Sequence, residues 1–198
     1  FMQCFRLLPT LAAFALLNIW PTQTQAEPFL DEDQSKFSIL AYSRIGEDHL
    51  PDQSLTRQHF DEHLTEIQAG DYNVLPLDNA LPAIQENKPL PNNSIVLTFD
   101  GAYKSATEYA FPKLVAAQIP FTVFYASSTL DRKDPEYTDW KTLKKLVQNE
   151  TVKIGTLPAV YDHITYGPNT AILKSINTAR PRYREVFETE ADCLSYSY

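Results

Sequence analysis

The segment at residues 95–99 (IVLTF) constrains the fold more than any other part of the sequence. Every side chain in it is apolar or β-branched, which is typical of a strand buried on both faces of a parallel sheet. Two more compact apolar runs, residues 37–42 and 121–125, also have the length of strands. Because helical patterns lie between these runs, the sequence predicts an α/β fold with a parallel sheet, either barrel-like or doubly wound.

The helical pattern is clearest at residues 55–69, where Thr56 is the predicted N-cap and Gly70 a stop signal. Further helices are predicted at residues 77–86, 105–117, 140–148 and 171–187, with Pro112 expected to kink the second of these and Thr138 or Asp139 expected to cap the third. Residues 43–54 read as a loop, and residues 152–154 and 193–198 predict two more strands.

The N-terminal segment, residues 1–26, has the pattern of a secretory signal peptide. Arg6 precedes an apolar run at residues 7–20, and the segment ends at the small residue Ala26. The run is shorter than the roughly 20 residues of a spanning helix, so we expect no stable membrane span, with a retained anchoring helix as the alternative. Residues 27–36 are predicted to be a flexible lead-in and residues 37–198 the domain. A secreted or periplasmic protein is expected.

Charge and cysteine content exclude some classes of partner and crosslink. The chain of 198 residues has a formal net charge of −8, which argues against nucleic acid and favours a neutral or cationic ligand. Of its two cysteines, Cys4 lies in the predicted signal peptide. Cys193 alone would remain after cleavage, so no internal disulfide is expected.

Asp100 is the candidate catalytic residue. Working side chains of α/β proteins lie where the strands end, and Asp100 follows directly on the buried run. It is the only acidic or basic residue among the predicted strand exits. From spacing alone, a general base or metal ligand and a cap of the following helix are equally good interpretations.

The motifs around Asp100 resemble the polysaccharide deacetylase family, which contains the NodB homology domain. Residues 93–100 (NSIVLTFD) are similar to the family pattern V-x-L-T-F-D-D-[GA]-Y, and residues 119–125 (IPFTVFY) to the pattern P-x-T-x-F. Four supporting segments occur in the same order as in the family. One lies upstream, at residues 42–46 (YSRIG), and three lie downstream, at residues 137–146 (YTDWKTLKKL), 154–155 (IG) and 194–198 (LSYSY).

This resemblance implies a deformed (β/α)7 barrel, here incomplete at the C-terminus, and enzymes that remove acetyl groups from N-acetylated sugars. In the family one Asp and two His hold a divalent metal, usually zinc, which polarises the acetamide carbonyl and supplies a bound water of lowered pKa. A neighbouring Asp accepts the proton of that water.

Transferred onto this sequence, the resemblance places the proton acceptor at Asp100 but fills the metal positions with Gly101, Leu157 and Tyr161. Glycine and leucine offer no ligand atom, and a tyrosine oxygen alone is a poor zinc ligand. We therefore expect no metal cofactor and no amide hydrolysis. Binding of an N-acetylated polysaccharide or a peptidoglycan-type glycan is the activity that would remain.

Tyr161 and Tyr198 are the candidate substrate-binding residues, because aromatic rings at strand exits offer stacking surfaces to sugars. Trp140 is instead expected to fill the core. Two other functions stay open. One is an active deacetylase with a rearranged metal site at Asp100, Asp162 and His163, and the other is a truncated remnant or interaction module with no ligand.

Overall fold

The described part of the chain is built around a parallel five-stranded sheet. The structure, a computed structural model, describes residues 36–159, 169–191 and 193–195. Within these ranges the strands are β1 (Ser38–Tyr42), β2 (Arg44–Ile45), β3 (Ser54–Leu55), β4 (Asn73–Val74), β5 (Ser94–Asp100), β6 (Phe121–Tyr125) and β7 (Val152–Thr156). The helices are α1 (Arg57–Ala69), α2 (Leu77–Gln85), α3 (Lys104–Ala116), α4 (Ser127–Asp131), α5 (Trp140–Leu146) and α6 (Asn169–Phe187).

Strand β5 is the centre of the sheet. It pairs with β1 along most of its length, with β4 at its beginning and with β6 at its end, and every pairing is parallel. Strand β7 continues the sheet beyond β6, and β2 pairs with β3 in a separate small sheet. All of β5 except its last residue, Asp100, is buried. The prediction of an α/β fold with a buried parallel strand at residues 95–99 is confirmed.

The two faces of the sheet are covered by different helices. Because side chains alternate along a strand, Leu97 and Phe99 join the larger core cluster, which includes Phe60 of α1 and Phe111 of α3. Val96, which directly precedes Leu97, packs on the opposite face. There a smaller cluster forms from Leu77 and Ala80 of α2 with Phe124, Ala126 and Leu157. The second cluster matters for function because it reaches the carboxyl ends of β6 and β7.

The predicted helix signals are confirmed in two helices, α1 and α5. Thr56 accepts a hydrogen bond from the backbone N–H of His59 at 3.2 Å, and Gly70 closes α1 through its N–H to Glu66 O at 2.8 Å. Of the two cap candidates for α5, Asp139 holds the position and accepts from the Thr142 N–H at 2.7 Å. The helix α3 contains Pro112 and continues from Lys104 to Ala116.

The structure differs from the sequence prediction in three segments. The loop predicted at residues 43–54 contains β2 and the first residue of β3, and α1 begins two residues after the predicted start, at Arg57. The short helix α4, which begins at Ser127, was not predicted. At residues 193–195 a single parallel bridge joins Leu194 to Thr156, where a strand was predicted.

Several predictions concern residues that the structure does not describe. The signal peptide at residues 1–26 and all but the last residue of the lead-in at 27–36 lie outside the described ranges. Among the helices that are described, none combines the length and apolar character needed to cross a bilayer.

Two leucine substitutions test where the core lies. Leu114 of α3 is fully buried, whereas Leu173 of α6 is 59% exposed. We expect Leu114→Ala to lower the free energy of unfolding by about 2–5 kcal/mol, because it leaves a cavity in the larger cluster. Leu173→Ala, the matched control in another helix, should change it by less than about 0.5 kcal/mol. Urea denaturation measures both, and equal effects would contradict this assignment of the core.

Candidate functional site

The carboxyl ends of the parallel strands bring the candidate site together. Strands β1, β5, β6 and β7 run in the same direction, so the residues that follow them lie along one edge of the sheet. These residues are Ser43 after β1, the Asp100 and Gly101 pair at the end of β5, Ala126 after β6 and Leu157 after β7.

Asp100 is a half-buried carboxylate at this edge. It pairs in register with Phe124 of β6. Burial raises the pKa of Asp100, and a hydrogen bond from the Ser195 hydroxyl opposes the shift. The interpretation of Asp100 as a helix cap is wrong, because Tyr103 occupies the N-cap position of α3 and no side chain caps that helix.

Gly101 adopts a backbone conformation that excludes most other residues. Its φ is +96°, and its N–H donates to Phe124 O at 2.8 Å. A Cβ at this position would lie 2.9 Å from Cδ2 and 3.0 Å from Cζ of the Tyr103 ring. An aspartate here would therefore need both a strained φ and a displaced tyrosine.

The Tyr103 ring cannot move easily, because it is held between two other side chains. The Arg44 guanidinium lies over one face at 3.8 Å from the ring centroid, and Tyr137 stacks with a centroid separation of 4.7 Å. Arg44 is itself buried and pairs with Glu47 at 2.7 Å and Glu136 at 2.6 Å. Although burial favours the neutral form, the hydrogen bonds to Glu136 and Glu47 raise the pKa of Arg44.

Leu157, at the second metal position, belongs to the core. Its side chain is 0% exposed and packs in the smaller cluster with Phe124 and Ala126. The backbone N–H of Leu157 donates to Tyr125 O at 2.8 Å, which ties the start of this segment to β6. The position is therefore apolar and closely packed.

The remaining candidates lie outside the described residues. These are the substrate-binding candidates Tyr161 and Tyr198 and the alternative ligands Asp162 and His163. Within the described ranges, no group of three or more His, Cys, Asp or Glu side chains could hold a metal ion. Gly101 and Leu157 are the described residues at the positions that the resemblance assigns to metal ligands, and neither side chain has an atom that binds a divalent cation.

Sequence reasoning missed two partners of the site. Ser195 bonds to Asp100 although 95 positions separate them, and Arg44 reaches Glu136 across 92 positions. The only signal for either was its place in a family motif. Trp140, predicted as core, is half-buried against the larger cluster, and its ring also borders a surface cleft.

Comparison with known proteins places this site in a family. Residues 87–198 match the model of a family described as polysaccharide deacetylase. The chain belongs to the polysaccharide deacetylase family. The comparison with curated proteins gives no match.

Several solved structures share the fold of this chain. The Streptococcus pyogenes deacetylase PplD, solved in complex with acetate, is 15% identical, with 82% of this chain and 75% of that chain covered and a TM-score of 0.73. IcaB from Ammonifex degensii is 18% identical, with 82% and 74% covered and a TM-score of 0.73. The BpsB deacetylase domain from Bordetella bronchiseptica is 16% identical, with 85% and 82% covered and a TM-score of 0.64.

Replacing Gly101 tests the packing that excludes a side chain. We expect Gly101→Ala to cost about 1–3 kcal/mol, because Ala is strained at this φ and meets the Tyr103 ring. In a double-mutant cycle with Tyr103→Leu, the double variant should lose less stability than the sum of the single variants. Additive losses in urea denaturation would show that the Tyr103 ring is not the obstacle.

The raised pKa of Asp100 predicts a specific pH dependence of stability. The folded state holds the proton more tightly than the unfolded chain, so ionisation of Asp100 costs stability as the pH rises through the interval between the unfolded and folded pKa. Asp100→Asn should therefore be more stable than the wild type at neutral pH, and its advantage should shrink as the pH falls through that interval. Thermal melts from about pH 4 to about pH 8 measure this difference.

Asp139 supplies a control of opposite sign. Hydrogen bonds from Thr142 lower the pKa of Asp139, so its contribution is present above the unfolded pKa and is lost as the pH falls. Asp139→Ala should cost about 1 kcal/mol at neutral pH and progressively less in acid. A loss of stability in Asp100→Asn at neutral pH would contradict the assigned environment of Asp100.

Proposed function

We propose that this member of the polysaccharide deacetylase family binds an N-acetylated polysaccharide or a peptidoglycan-type glycan and does not hydrolyse its acetamide. The observation that carries the proposal is the burial of Leu157 in the core, at a position where the family places a histidine ligand. Gly101, at the aspartate position, supports it with a φ of +96°.

The chemistry of the remaining groups supports binding better than hydrolysis. An acetamide is attacked slowly by water unless its carbonyl is polarised and the water is activated. Asp100 offers a single proton-accepting group, and among the described residues no cluster of three or more His, Cys, Asp or Glu side chains could hold a metal ion. The Asp100 carboxyl and the Ser195 hydroxyl are suited to hydrogen bonds with sugar hydroxyl or acetamide groups.

A secreted or periplasmic location is part of the proposal. It rests on the basic residue, apolar run and small terminal residue of the segment 1–26. Glycans with N-acetyl groups are abundant in cell envelopes, which agrees with such a location. Tyr161 and Tyr198 are proposed to stack against the sugar rings.

Binding and acetate release together test this proposal. Calorimetry of the purified protein with chitooligosaccharides and peptidoglycan fragments should give saturable binding, and the same mixtures should release no acetate. Cello-oligosaccharides of the same length are the matched control, because they are also neutral and carry a hydroxyl in place of the acetamide, and they should bind more weakly.

Two outcomes would contradict the proposal in different ways. If no N-acetylated glycan binds, the proposal that the protein recognises such a glycan is wrong. Acetate release that disappears in Asp100→Ala would instead identify an active deacetylase with a rearranged site.

A further inference from the structure

A cleft of about 700 Å³ lies on the surface outside the strand ends. We name it the Trp140 cleft after the side chain that borders it, together with Lys104 at the start of α3, Asp131 at the end of α4 and Arg182 of α6. Four lysine or arginine side chains and four aspartate or glutamate side chains line it, so its formal charge is zero. This balance differs from the whole chain, whose formal charge is −8.

The carboxylate of Asp131, a partly exposed residue of the lining, is hydrogen-bonded to two other lining residues. Oδ1 of Asp131 accepts hydrogen bonds from Trp140 Nε1 at 3.0 Å and from Arg182 Nε and Nη2 at 3.1 and 2.6 Å. The Arg182 guanidinium also lies 5.3 Å from the centroid of the Trp140 ring. No described residue donates to Oδ2 of Asp131, so this oxygen is an oriented acceptor at the cleft. An acceptor held in place before binding loses little entropy when a ligand arrives.

Residues that line the cleft are hydrogen-bonded to the turn that follows Asp100. The Thr138 N–H donates to Ala102 O at 3.0 Å, and the Lys104 N–H donates to Glu136 O at 2.9 Å. An antiparallel bridge between Tyr103 and Tyr137 lies between these bonds. The cleft is therefore connected by backbone hydrogen bonds to the candidate site.

The chemistry of the cleft selects a neutral polar ligand. An anion would meet four carboxylates and a cation four basic side chains, so neither gains a net electrostatic attraction. A sugar unit carries hydroxyl groups that both donate and accept hydrogen bonds. These hydroxyl groups can donate to Oδ2 of Asp131 and to the other carboxylates of the lining, and they can accept from its basic side chains. The indole of Trp140 adds an aromatic surface for the apolar face of the ring.

We infer that the Trp140 cleft binds a neutral sugar unit of the glycan, at a subsite separate from the metal positions. This inference rests on the proposed function, because it assigns that glycan a second point of contact. The oriented Asp131 carboxylate is its main hydrogen-bonding partner, and Lys141, which also lines the cleft, contributes a donor.

Two pairs of variants test the inference by calorimetry with a chitooligosaccharide of three or more units. Asp131→Asn should weaken binding by about tenfold, because it replaces a charged acceptor, and Lys141→Ala by about threefold. The controls are Asp52→Asn on an exposed turn and Lys144→Ala on the exposed surface of the same helix as Lys141, and both should bind as the wild type does. Lys141 is exposed, so its variant keeps the test valid even if Asp131→Asn lowers stability.

Tryptophan fluorescence gives an independent readout. The chain has two tryptophans, Trp20 and Trp140, so a Trp20→Phe background reports Trp140 alone. Addition of the oligosaccharide should shift or quench this emission at the same concentrations that saturate the calorimetric signal.

The outcomes separate this inference from the proposed function. If the wild type binds the oligosaccharide but Asp131→Asn, Lys141→Ala and the Trp140 emission are all unaffected, the cleft is not a subsite and the proposed function still holds. If the wild type binds no N-acetylated oligosaccharide, the proposed function fails and this inference fails with it.

Discussion

The burial of β5 on both of its faces is the constraint on which the rest of the structure depends. Its parallel pairing with β1 and β6 means that these strands all end at the same edge of the sheet. Its side chains alternate between two separate core clusters, one on each face. Phe99 alone contacts four other rings, those of Tyr42, Phe60, Phe111 and Phe121. Because β5 is held so firmly, the position and orientation of Asp100 and Gly101 at its end are also fixed.

Gly101 and Leu157, at two of the positions that the resemblance assigns to metal ligands, are part of the packing at the strand ends. Gly101 allows the chain to turn beneath the Tyr103 ring, and Leu157 completes the cluster between α2 and the strand ends. The Arg44 guanidinium stacks on the Tyr103 ring and is held there by ion pairs with Glu47 and Glu136. An aspartate at position 101 or a histidine at position 157 would therefore disturb this packing before it could offer a ligand.

Local signals made much of the fold predictable. The apolar run at residues 95–99, the Thr56 cap and the Gly70 stop each depend on residues close in sequence, and each is confirmed. The sequence analysis missed β2, β3 and α4, because segments of two to five residues are too short to show a helical or strand periodicity. Partners distant in sequence, such as Arg44 with Glu136, follow from the tertiary fold and leave no periodic signal. Asp100 was placed correctly at the strand end, whereas Tyr161 and Tyr198 stay predictions because they lie outside the described residues.

A zinc titration of the native, metal-free protein measures the central claim most directly. With glycine at position 101 and a buried leucine at position 157, the account predicts no saturable zinc binding below about millimolar concentrations. Stoichiometric binding at micromolar zinc or below, lost on Asp100→Ala, would contradict it.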